Sequence, residues 1–129
     1  MKKSDNNVVS LFEQTNQGVQ KAVLTDSMKM KRGGSLSNPI VAYETWGKLS
    51  KQKDNVVVIL TGLSASSHVA SHSNNSKPGW WEGIVGPDKA IDTNKFYVIC
   101  VNSLGSCFGS TGPASINQIT GEPFRLTFP

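Results

Sequence analysis

Two short runs of the chain are apolar without alternation: "NVVVILTG" at residues 55–62 and "KFYVICVN" at 95–102. Strands buried on both faces read this way, and they belong to parallel sheets covered by helices. Ahead of them, "PIVAYETWG" at 39–47 alternates apolar and polar positions and is rich in β-branched and aromatic residues. "AVLTDSMKM" at 22–30 alternates more weakly, and Gly33–Gly34 lies between the two. This pattern predicts an antiparallel pair with a glycine turn. An antiparallel lead-in followed by buried strands predicts an α/β fold with a mixed sheet.

Helical pattern is scarce. One weak candidate covers 64–72, and "GWWEGIVG" at 79–86 predicts a short turn. Nothing after Asn102 carries a helical period. Parallel strands need helices on both faces, so the chain reads as cut before its sheet is covered, with apolar faces and strand edges left open. The expectation is a fragment or truncated product: a polar, Asn/Gln-rich tail over 1–20, then one incomplete α/β domain over 21–129.

Composition narrows the function. The 129 residues fit one small domain, and a hydrophobic content of 37% allows a modest core. The net charge of +4 comes from scattered lysines and arginines, among them Lys2, Lys3, Lys21, Lys29, Lys31 and Arg32. They are not interleaved with aromatics along one element, which argues against a nucleic-acid partner. No apolar signal core follows Lys2–Lys3, and the apolar runs are far too short to span a membrane. The expected location is the cytoplasm, with Cys100 and Cys107 as reduced thiols.

In open α/β sheets, ligands bind beyond the carboxyl ends of the strands. The two apolar runs end in "TGLSASSH" (61–68) and "NSLGSCFGSTGPAS" (102–115). The second loop has almost no side chains with which to build a core, but it lets something approach its backbone. Backbone N–H groups in such loops can hold an oxyanion or a phosphate; the plainer reading is two tight turns. His68 and His72, at i and i+4, would share a face on a helix, but no third ligand lies near in sequence and no H-E-x-x-H pattern is present, so no metal is expected. Ser64, Ser66 and Ser67 lie outside any G-x-S-x-G elbow and read as caps or turn residues. Trp80 and Trp81 suit a satellite core or a pocket wall equally, and Cys107 has no histidine partner that would make it a nucleophile.

Four segments carry a family resemblance: "VAYETWGKL", "PGWWEGIVGPDKAIDTNKFYVICVN", "LGSCFGSTGPASIN" and "TGEPFRLTFP". Over residues 29–129 the chain resembles the amino-terminal part of the homoserine O-acetyltransferase family. "TGLSxxxH" together with "VNSLGSC" looks closest to its serine O-succinyltransferase branch. The resemblance implies the amino-terminal portion of an α/β-hydrolase fold, without a tightly bound cofactor. The implied chemistry moves an acyl group from acetyl-CoA or succinyl-CoA to the hydroxyl of L-homoserine or L-serine through an acyl-serine, in methionine or cysteine biosynthesis.

By the same resemblance, the loop after the first apolar run supplies an oxyanion-hole backbone N–H, which falls on Leu63. One such donor is typically worth ~3–4 kcal/mol of barrier. Gly62, Ser64 and Ala65 fall in a loop bordering the acyl and acceptor site, and Thr61 stands where many acetyltransferases have His. Acetyl and succinyl donors both stay open. The family's nucleophilic Ser, Asp and His match nothing in this chain, so the chain alone is expected to be inactive. The implied partners are small-molecule substrates, with a homodimer expected at full length. An esterase of the same fold and a non-catalytic remnant are the alternatives.

Overall fold

The computed structural model describes residues 18–129. Residues 1–17, most of the expected tail, lie outside the described residues, and Gln20 already begins the first strand. In chain order the strands are β1 (Gln20–Val23), β2 (Met28–Lys29), β3 (Ser35–Leu36), β4 (Ile40–Trp46), β5 (Val56–Leu60), β6 (Val85–Gly86), β7 (Ile91–Asp92) and β8 (Tyr97–Val101). The main sheet has the order β1-β4-β8-β5. β1 and β8 both run antiparallel to β4, whereas β5 and β8 are parallel. The mixed sheet with an antiparallel lead-in is therefore present. The weak pattern at 22–30 resolves into two pieces: the end of β1, and β2, which pairs with β3 in a small hairpin across the Gly33–Gly34 turn.

The strand period explains which side is buried. On β4, Ala42, Glu44 and Trp46 face inward, and across the register Val98 and Cys100 of β8 and Ile59 of β5 share that face. Of these, Trp46, Ile59, Val98 and Cys100 cluster with Val69, Ala70 and Val85 from the segment between β5 and β8. The opposite face of β5 is open, with Val56, Val58 and Leu60 exposed by 41%, 56% and 78%. The sequence expectation of burial on both faces thus holds for only one face of β5 among the described residues.

No α-helix occurs among the described residues, which corrects the expected helix at 64–72. That stretch is irregular because its serines take polar partners that a helix would leave apart: Ser66 Oγ accepts the His68 N–H, and the Ser67 N–H goes to a side chain on another loop. The covering layer is instead held by tryptophans. Trp46 Nε1 donates to the Ala70 carbonyl and Trp80 Nε1 to the Ser66 carbonyl. Gly79 lies flat against the Val69–Ala70 backbone, where any Cβ would collide, and this lets the Trp80 and Trp81 N–H groups reach the carbonyls of His68 and Val69.

Candidate functional site

The parallel pair brings the loops after β5 and β8 side by side at the carboxyl ends of the strands. Thr61 Oγ1 donates to the Val101 carbonyl and lies 3.4 Å from Ser103 Oγ, so the two loops touch at their roots. Beyond Thr61, Leu63 is fully exposed, and its N–H has no acceptor among the described residues. Gly62, Ser64 and Ala65 flank it in the same loop.

The small-residue loop has a structural use. β8 stops serving β4 at Val101, opposite Tyr43. Past that point the Asn102 N–H goes to the Ala42 carbonyl and the Thr111 N–H to the Ile40 carbonyl. The β4 N–H groups are then met by hydroxyls: Ala42 N–H donates to Ser110 Oγ at 2.9 Å and Ile40 N–H to Thr111 Oγ1 at 2.7 Å. Short polar side chains thus replace a strand's carbonyls, and a buried donor left unpaired there would cost about 1–3 kcal/mol. Gly112 packs on the Gly105–Ser106 backbone, which closes the loop on itself.

Under the two loops lies a buried polar network centred on Glu44, Ser67 and Asn102, which are 1%, 0% and 1% exposed. The Ser67 N–H donates to Asn102 Oδ1 at 2.6 Å, and Asn102 Nδ2 donates back to Ser67 Oγ at 3.0 Å and to the Phe108 carbonyl at 2.9 Å. Ser67 Oγ then donates to Glu44 Oε1 at 2.9 Å. Ser110 Oγ donates to the Asn102 carbonyl. Every polar group of Asn102 is used, and no buried side-chain nitrogen or oxygen among the described residues lacks a partner.

The other Glu44 oxygen joins the two histidines. Oε2 lies 2.8 Å from His68 Nδ1 and 2.9 Å from His72 Nε2. Sequence spacing left the pair without a third ligand; the sheet supplies one from β4. The histidines meet because the loop wraps around Glu44, not because they share a helix face. The donors decide what the cluster holds. The Asn74 N–H points at His72 Nδ1, so the ring's hydrogen sits on Nε2 and faces Glu44. His68 Nε2 faces the Lys77 carbonyl, which only accepts, so it too carries hydrogen. Its Nδ1 faces Glu44 Oε2, which lies 2.8 Å away. A cation bound at His72 Nε2 would put that ring's hydrogen on Nδ1, against the Asn74 N–H.

Glu44 was missed as a site residue by sequence reasoning. The signal was present: in "VAYETW" it occupies an inward position of an alternating strand, between Ala42 and Trp46. Its carboxylate also faces Cys100, directly opposite in the register. Burial first, and then the Glu44 charge, push that thiol up to about 12, which leaves it inert. Cys107 is exposed and free.

No family model matches the chain. Among curated proteins it is similar to the serine O-succinyltransferase of Frateuria aurantia, with 62% identity over 107 residues, covering 82% of this chain and 29% of the relative. The serine O-succinyltransferase of Xanthomonas campestris pv. campestris is 55% identical over 112 residues, covering 87% and 30%. Among solved structures, a homoserine O-acetyltransferase from Bacillus anthracis superposes with a TM-score of 0.74 at 35% identity, covering 86% of this chain and 31% of that one. Esterase E22 superposes with a TM-score of 0.72 at 40% identity, covering 86% and 33%. The chain therefore spans about a third of the length of the proteins it matches. Its mixed sheet is that part of an α/β-hydrolase fold, and over most of its length the chain is related to the homoserine and serine O-acyltransferases.

Proposed function

We propose that this chain is the oxyanion-loop part of an acyl-CoA-dependent amino acid O-acyltransferase, with succinyl transfer to L-serine as the reaction. The observation that carries the reading is the N–H of the exposed Leu63, without an acceptor among the described residues, on the loop beyond the carboxyl end of β5, in a chain 55–62% identical to serine O-succinyltransferases. When a serine nucleophile adds to the thioester carbonyl, negative charge grows on the carbonyl oxygen. A fixed N–H aimed at that oxygen stabilises the charge more in the transition state than in the ground state. Collapse expels the coenzyme A thiolate and leaves an acyl-serine. Attack by the amino acid hydroxyl then passes through a second oxyanion at the same donor and yields the O-acyl amino acid. Gly62, Ser64 and Ala65, beside Leu63, border the acyl group and bias its size. The nucleophile and its base come from sequence that relatives carry and residues 1–129 do not match. Coenzyme A enters as co-substrate, and no resident cofactor takes part.

The similarity to esterase E22 supports a second reading, in which water accepts the acyl group. A chimera separates the two. Residues 18–129 replace the matching segment of the Frateuria aurantia enzyme, and the chimera is assayed with acetyl-CoA and succinyl-CoA against L-serine, L-homoserine and water. The expected result is thioester consumption that depends on L-serine, fastest with succinyl-CoA. Consumption indifferent to either amino acid would favour the esterase reading instead.

A further inference from the structure

We infer that Ser67 and Asn102 are positioning residues that fix the Leu63 donor through the buried Glu44 network; this rests on the oxyanion reading of Leu63 above. Leu63 itself is fully exposed, and its N–H has no acceptor among the described residues. Downstream, the Ser66 carbonyl accepts from Trp80 Nε1 nearer the surface, and the first buried anchor in the loop is Ser67, four residues on. Ser67 is gripped three ways, by its N–H to Asn102 Oδ1, by its Oγ from Asn102 Nδ2, and by its own hydroxyl proton to Glu44 Oε1.

Upstream, the loop is tied by Thr61 to the end of β8. Leu63 is thus suspended between two fixed points, and both rest on the segment that opens with Val101 and Asn102. The amide orientation of Asn102 is not free to reverse. The Ser67 N–H demands an acceptor at Oδ1, and the Phe108 carbonyl demands a donor at Nδ2. Glu44 in turn has its position set by three donors, Ser67, His68 and His72. Register across β4, β8 and β5 is thereby converted into the placement of one backbone N–H. A small displacement of such a donor is costly, since a shift of about 1 Å away from the chemistry can cost about 100-fold in rate.

The test uses the active chimera with four substitutions. Leu63→Pro removes the donor and is expected to lower kcat by about 100- to 1,000-fold. Ser67→Ala and Asn102→Ala keep the donor but release its anchor, and each is expected to lower kcat by about 10- to 100-fold with KM for both substrates unchanged. Ser67→Thr keeps the hydroxyl and is expected to restore most of kcat. Assays run well below each variant's Tm; should Asn102→Ala fail to fold, Ser67→Ala, which preserves the Ser67 N–H bond, decides alone. If Leu63→Pro lowers kcat while Ser67→Ala leaves it intact, the positioning role is overturned and the donor reading stands. If Leu63→Pro itself leaves kcat unchanged, the donor reading falls and takes the positioning role with it.

Discussion

Glu44 and Glu82 are two carboxylates with different work. Glu44 is enclosed, and its oxygens answer three donors that have no other acceptor for those hydrogens. Glu44→Gln places an amide N–H₂ where an acceptor is required, and it is expected to destabilise the folded chimera by about 3–5 kcal/mol, read from denaturant unfolding. Glu82 sits nearer the surface and ties the turn at 79–82 to Ser71. It accepts from the Gly79 N–H, the Ser71 N–H and the Ser71 hydroxyl, and these bonds lower its pKa from 4.5 to about 2. Its folded-state pKa lies below the unfolded value, so its contribution to stability is full above about pH 4.5 and fades as pH falls towards 2. Glu82→Gln is therefore expected to lower Tm at pH 7 and to flatten the acid limb between pH 4.5 and 2; parallel Tm-versus-pH curves for the two proteins would contradict this. The two thiols part in the same way. Cys107 is expected to react with a disulfide reagent in the native state at pH 8, and Cys100 only after unfolding.

At the level of elements, what was legible followed from period and composition. β4, β5 and β8 could be read as strands from their β-branched runs, but alternation gave the inward face of β4 alone, and the unbroken apolar runs of β5 and β8 read as buried on both faces. The turn at Gly33–Gly34 could be read from its residues, and the meeting of two loops beyond β5 and β8 from the strand ends, whereas the donor role of Leu63 came from the family resemblance alone. The stretch at 64–72 was misread because histidines spaced i, i+4 are compatible with a helix, whereas what shapes the stretch are bonds to Asn102 and Glu44, 35 and 23 residues from Ser67. Such long-range partners leave no periodic trace. The loop at 102–115 was half legible: its small residues announced close approach, but the use of Ser110 and Thr111 as stand-ins for strand carbonyls depends on where β8 stops. Gly79 belongs to this scale as well. Gly79→Ala would drive a methyl into the Val69–Ala70 backbone, and the "GWW" turn is expected to lift off, with a lower Tm and a shift in tryptophan emission.

For the whole molecule, one face of the sheet is covered, and among the described residues the other face is open along β5 and half-buried on β4 and β8. Val56, Val58 and Leu60 line the open side of β5, at the edge of the sheet. An apolar strand edge of this kind templates aggregation unless something covers it. Residues 1–129 expressed alone are expected to be poorly soluble and to melt without a cooperative transition; a sharp transition in a soluble monomer would contradict this reading. The account's central claim is that this segment donates the Leu63 N–H to an acyl-transfer oxyanion. The most direct measurement is the rate at which the chimera gains one succinyl group by intact mass, on mixing with succinyl-CoA in the absence of acceptor, for Leu63→Ala and Leu63→Pro. The account predicts that Leu63→Ala, which keeps the N–H and loses only an exposed side chain, is acylated at the parent chimera's rate, while Leu63→Pro is slowed about 100-fold or more. Equal rates for the two variants would contradict it.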